Sequence, residues 1–160
     1  MTAALTSLTG AAWLWTSLSC FGLTVVSAIL PWVNAEVIVV SFAALAHSPA
    51  EVAWVVIVAT SGQMLGKSVV FWTGRRGEQW RGRESAWSSR WRERLTARPR
   101  QTATLVLLSS TVGVPPFFLV TLAAGAYGMD FRRFLVAGTV GRLLRFGVIA
   151  LLPHAIFHAA

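Results

Sequence analysis

The sequence predicts an all-α integral membrane protein built as an inverted repeat, each half a re-entrant hairpin followed by a transmembrane helix. Three observations carry this reading. Of 160 residues, 55% are hydrophobic and only 12% charged, whereas an ordinary soluble domain carries about 25% charged residues. Apolar runs recur along the chain, several close to the roughly 20 residues that a helix needs to cross a bilayer. Prolines divide the remaining runs into pieces too short to cross.

The elements follow in order. Residues 11–30 contain no charge, and no Lys or Arg precedes Lys67. This run therefore lacks the basic flank of a secretory signal peptide and is expected to be retained. Pro31 breaks it, and residues 32–46 resume as a short apolar piece holding Glu36. After a polar connector at 47–51, residues 52–73 form a span carrying Gly62, Gly66 and Lys67. Nine of the fourteen Lys and Arg residues then fall in the polar segment 74–100. Residues 102–125 are apolar but split by Pro115 and Pro116. Asp130, Arg132 and Arg133 mark a water boundary, with Asp130 expected to start a helix, and 134–153 is the last span.

Short pieces interrupted by proline are tolerated at membrane depth where their broken backbone lines a cavity. Hence the re-entrant reading, with a plain bundle of kinked spans as its alternative. The whole chain, 1–160, reads as one membrane domain: a first repeat over 11–73, a basic loop or interfacial helix over 74–100, and a second repeat over 101–153. Each repeat's long helix carries a glycine pair, a cation and an aromatic: Gly62, Gly66, Lys67 and Phe71 in one, Gly138, Gly141, Arg142 and Phe146 in the other. The basic loop sets orientation by the positive-inside rule. It places 74–100 in the cytoplasm, both termini outside, and the protein in the plasma (inner) membrane. The net charge of +8 thus points to anionic lipid rather than nucleic acid.

Charges inside such segments usually face a partner or a wet cavity, because each costs about 2.5–3.5 kcal/mol at the bilayer centre. Arg142 lies about 12 Å into its span at 1.5 Å per residue, and Arg145 shares its helix face. Two like charges there require an anion between them or a carboxylate opposite. An arginine fork suits phosphate, so both are candidate substrate-binding residues; an ion pair with Glu36 is the other reading. Glu36 is a candidate for charge compensation or proton coupling. Lys67 either contacts substrate or snorkels to the cytoplasmic interface. Gly62, Gly66, Gly138 and Gly141 are expected at close helix contacts, and Pro31, Pro115 and Pro116 at the hairpin tips.

Other signals lead away from enzymes. The string from Gly62 to Ser68 has one residue too few between its glycines for a phosphate-binding loop. Cys20 is alone, and the His154–His158 pair lacks a third ligand, so no metal site or cofactor is expected. Ser109, Ser110 and Thr111 have no neighbouring acid or His to activate them. Trp80, Trp87 and Trp91 share a helical arc, as on a helix lying on an anionic leaflet.

The layout resembles the DedA family, also called the VTT or SNARE-associated-like domain, from about Leu30 to Leu152. Leu30-Pro31 followed by Ala35-Glu36 resembles the family's entry motif. Gly62, Gly66, Phe71 and Gly74-Arg75 resemble its glycine-spaced helix, and Ala124-Gly125, Met129, Phe134 and Gly138 the segment leading into its last helix. The resemblance implies facing re-entrant hairpins and movement of an anionic lipid, polyprenyl phosphate or phospholipid, between leaflets, without enzymatic chemistry. Typical members carry an arginine just before the second hairpin's proline; here the stretch is Thr111-Val112-Gly113-Val114-Pro115-Pro116. The resemblance is thus to a divergent, short member: either Arg142 and Arg145 take over that role, or this is a branch whose substrate differs. A small-solute or ion transporter and a non-transporting assembly factor are the alternatives, and a homodimer is a plausible assembly because one subunit offers few spans.

Overall fold

The computed structural model describes residues 2–80 and 99–158, with side chains over 12–77 and 100–151. Six helices make up the described residues: α1 (Thr2–Ile29), α2 (Ala35–Ala43), α3 (Pro49–Trp80), α4 (Pro99–Val112), α5 (Phe117–Ala126) and α6 (Phe131–His158). Three of them are long and apolar enough to cross a membrane, over Ala12–Ile29, Pro49–Gly77 and Phe131–Leu151. The interfacial helix expected around Trp87 and Trp91 lies outside the described residues, as do the side chains of Trp80, His154 and His158.

Local chemistry explains the breaks. After α1 the chain turns through Pro31, and Asn34 caps α2 by accepting the Glu36 N–H at 2.8 Å, satisfying a donor that has no partner within the helix. At the end of α4, Gly113 has φ +89° and its N–H closes on Ser109 O at 2.9 Å. This is the left-handed exit that glycine permits. Pro115 and Pro116 then prevent continuation, and α5 begins at Phe117. Asp130 starts α6 as expected, its carboxylate accepting the Arg133 N–H at 2.9 Å.

Several helices start a few residues before the runs read from the sequence, and two continue well past their expected ends. α3 continues through Gly74 to Trp80, because Gly74 is packed against α5, where a Cβ would stand 3.2 Å from Ala126 N. α6 continues past Pro153 to His158. Proline removes one helical bond, and apolar helices absorb this as a local adjustment.

Contacts along the helices fix their directions. Gly62 lies against Phe21 and Thr24, and Gly66 against Val25 and Ala28, so α1 and α3 run parallel. Gly141 lies against Leu107 and Ser110, and Gly113 against Arg145, so α4 and α6 also run parallel. Between these pairs, Met64 meets Gly138 while Phe71 stacks on Phe134 at 4.9 Å, so α3 and α6 are antiparallel. The short helices cross over: α2 packs on α6 as well as α3, and α5 packs on α3.

The surface is inverted relative to a soluble domain. Leu14, Trp15, Leu18 and Val136 point outward, while Thr24, Ser27, Thr60, Gln63, Ser109, Ser110 and Thr121 are buried. Several of these hydroxyls donate back into their own helix, as Thr24 does to Cys20 O at 2.8 Å and Thr121 to Phe117 O at 2.7 Å. Such self-satisfaction lets polar groups face apolar surroundings. Lipid is therefore the solvent, and the chain is an integral membrane protein.

Packing at the glycines yields a test. A Cβ at Gly125 would sit 2.8 Å from the Phe71 carbonyl carbon and 3.2 Å from Arg75 N, both backbone atoms of α3. Backbone cannot step aside as a side chain can. Gly125→Val is predicted to destabilise the fold by about 1–3 kcal/mol, read as a lower thermal midpoint in detergent. An unchanged midpoint would refute the close α3–α5 approach.

Candidate functional site

The charged residues of the membrane segments converge where the two turns, 30–34 and 113–116, meet α3 and α6. Arg145 of α6 reaches both turns. Its Nε donates to Glu36 Oε1 at 2.8 Å, its Nη2 forms a second bond to the same oxygen, and its Nη1 donates to Thr111 O at 2.9 Å. It thereby joins the start of α2 to the last turn of α4. The ion pair with Glu36 named from the sequence is present.

Arg142 is placed differently. Its guanidinium carbon lies 4.9 Å from the Phe117 ring centroid and 5.4 Å from that of Phe146. Its Nε is buried without a hydrogen-bond partner, and among the described residues no carboxylate pairs with it. Aromatic faces attract a cation, by about 0.5–2 kcal/mol, which is far less than a buried guanidinium loses on leaving water.

Lys67 does not snorkel. It is 4% exposed, and its ammonium turns into the bundle to donate to Ala28 O at 2.7 Å. It also lies 5.8 Å from the Phe117 ring centroid and 5.1 Å from that of Phe118. That single carbonyl at the end of α1 and the rings at the start of α5 hold it in place. Phe117 therefore carries both Lys67 and Arg142, which repel each other. Among the described residues three cations share this region with one carboxylate, and Glu36, bonded to Arg145, attracts Arg142 without bonding to it.

The glycines give the cations their positions. Gly66, next to Lys67, lets α3 approach the Val25 carbonyl of α1; Gly141, next to Arg142, lets α6 approach the Leu107 carbonyl of α4. Gly138 accommodates Met64 and Phe117. In both places a glycine next to the cation meets a backbone carbonyl of a neighbouring helix, and Phe71 and Phe146 are both fully buried. Pro31, Pro115 and Pro116 lie in the two turns and are exposed.

Sequence reasoning names the four charged residues but misses what they touch. Phe117 and Phe118, directly after the proline pair, were legible as aromatics at a turn; the carbonyls of Ala28 and Thr111 carry no side-chain signal at all. Gln63 is also missed. It is 1% exposed, its amide donates to Ser27 Oγ at 2.6 Å, and its Oε1 has no partner among the described residues.

No curated protein and no solved structure matches the chain. A family model does, and it covers residues 30–154, from the first turn through most of α6. Four fifths of the chain thus carries the pattern, including every charged residue of the site: the chain belongs to the VTT domain family of membrane proteins, the DedA/SNARE-associated family.

Proposed function

We propose that the protein moves an anionic, phosphate-headed lipid between leaflets, with Arg142 and Lys67 taking the charge of the head group. The observation that carries this reading is that Lys67 and Arg142 both lie on Phe117 within an apolar bundle, with no carboxylate among the described residues bonded to either. A buried charge is strongly unfavourable unless paired, and a phosphate offers several acceptors to a guanidinium and an ammonium at once. Arg145 and Glu36 frame the site, and their mutual pair leaves the other two cations for substrate.

The architecture fits the same reading. The helix pairs α1–α2 and α4–α5 act as re-entrant hairpins entering from opposite faces, related by an inverted repeat. Parallel α1 and α3, parallel α4 and α6, and antiparallel α3 and α6 are what that repeat requires. In this arrangement the basic segment 74–100 lies in the cytoplasm and both termini outside, by the positive-inside rule. A polyprenyl phosphate and a glycerophospholipid both carry the required chemistry.

The test is leaflet exchange in reconstituted vesicles, using a fluorescent polyprenyl phosphate and a fluorescent phospholipid. Arg142→Ala is predicted to slow exchange of the preferred probe at least roughly tenfold, the loss expected for one charge-assisted contact of about 1.5–3 kcal/mol. Undiminished exchange by well-folded Arg142→Ala protein would sink the proposal. Uptake of a soluble anion without lipid exchange would reassign the site to a solute transporter.

A further inference from the structure

A second site of opposite sign stands at the other end of α1, fifteen residues or about 22 Å from Ala28 along the helix axis. Where α1 passes the end of α2 and the start of α3, a cavity of about 160 Å³ opens, lined by Trp13, Thr16, Phe42, Leu45, His47 and Glu51. Its volume is well above the roughly 10–15 Å³ that a single water requires. We infer that this cavity binds an organic ammonium group, held against the rings of Trp13 and Phe42 and neutralised by Glu51.

The Glu51 carboxylate does two things there. Its Oε2 accepts the His47 N–H at 2.6 Å, while its own N–H donates to Ser48 Oγ at 3.3 Å, which closes the start of α3. Its Oε1 has no partner among the described residues. One oxygen thus serves the helix terminus and the other is left for a ligand. The Thr16 hydroxyl gives its proton to Ala12 O at 2.9 Å, so towards the cavity it offers lone pairs. The Glu51 carboxylate and the Thr16 hydroxyl thus offer acceptors beside the His47 side chain, and two aromatic rings complete the lining. That combination recognises substituted ammonium groups. Charge elsewhere agrees: residues 1–66 contain no Lys or Arg, so α1, α2 and the start of α3 bring none of the cations that crowd the site at Phe117.

An ammonium group has two sources, a soluble amine or the head group of a choline or ethanolamine lipid. The test uses the full chain in nanodiscs, labelled with fluorinated tryptophan, the Trp13 resonance being assigned by Trp13→Phe. In phosphatidylglycerol discs, choline chloride is titrated from solution; in parallel, phosphatidylcholine replaces part of the phosphatidylglycerol. A saturable shift of Trp13 with dissolved choline assigns a soluble ligand, and a shift only with the choline lipid assigns a head group. Glu51→Gln, which keeps an acceptor for His47, and Phe42→Leu should each weaken the response roughly tenfold. No shift in either arm overturns the inference. So does an equal shift from dimethylbutanol, the uncharged isostere of choline, in the wild-type protein, where no variant's folding enters.

Discussion

Replacing Glu36 with glutamine is expected to cost the folded protein roughly 3 kcal/mol, and replacing Arg145 with glutamine as well is expected to restore much of that loss. The single change leaves the Arg145 guanidinium with Thr111 O and no counter-charge, and removal of one partner from a buried pair typically costs about 3–5 kcal/mol. The lower figure applies because the pair is partly open, with side chains 20% and 35% exposed for Arg145 and Glu36. The double variant removes the stranded charge. Neutral amides can hydrogen-bond to one another and to Thr111 O, so the two losses should not add. The measurement is unfolding of the four proteins of the cycle in one detergent, followed by the loss of helical signal. Additive losses would mean that Glu36 and Arg145 do not act as a pair. Leaflet exchange separates a framing role from a substrate role: framing predicts that the folded double variant still exchanges lipid, whereas a phosphate held by Arg145 predicts a stable but inactive protein.

This pairing marks the boundary of what the sequence could say. Charges in apolar runs announce themselves, so Glu36, Lys67, Arg142 and Arg145 were all legible as candidates. Prolines and run lengths located both turns to within a few residues. Partner choice was not legible. Arg142 and Arg145 lie three residues apart on one helix, and nothing in their spacing determines which one Glu36 meets. The choice is made by α2, whose position depends on the Asn34 cap and on the packing of Val39 and Ala43 beside Phe146 and Ala150. The fate of Lys67 was hidden for a related reason. A lysine six residues from the end of an apolar run has a plausible route to water, until α3 is seen to continue to Trp80 and α1 to close over it. Gly74 carried that information, since a buried glycine near the expected end of a helix implies a further packing partner, and α5 supplies one.

Lys67→Met carries the other large expectation, and its two readouts should move in opposite directions. In the folded protein the ammonium has one carbonyl, two aromatic faces and a repelling guanidinium. Methionine has similar volume and flexibility, so the packing beside Phe117 and Phe118 should survive with little strain. Exchange of a poorly compensated buried charge for an apolar side chain of like size is often neutral or stabilising, by about 1–4 kcal/mol. The thermal midpoint of Lys67→Met is therefore expected to hold or rise. Lipid exchange is expected to fall at least roughly tenfold, since the head group loses a charge-assisted contact worth about 1.5–3 kcal/mol. A residue kept for packing would give the reverse, a lower midpoint with exchange reduced only in proportion to folded protein. That reverse outcome, measured on the same reconstituted sample, would remove Lys67 from the site. The expected outcome identifies a position where stability has been given up for binding, which is where functional residues are found. The same logic extends to Arg142, whose buried Nε has no partner among the described residues. Both cations are poorly satisfied by the protein alone, and both touch the same ring. A single bound phosphate that bridges them would relieve both burial and repulsion, so added polyprenyl phosphate should raise the midpoint of the wild-type protein and leave that of a Lys67→Met/Arg142→Gln double variant unchanged.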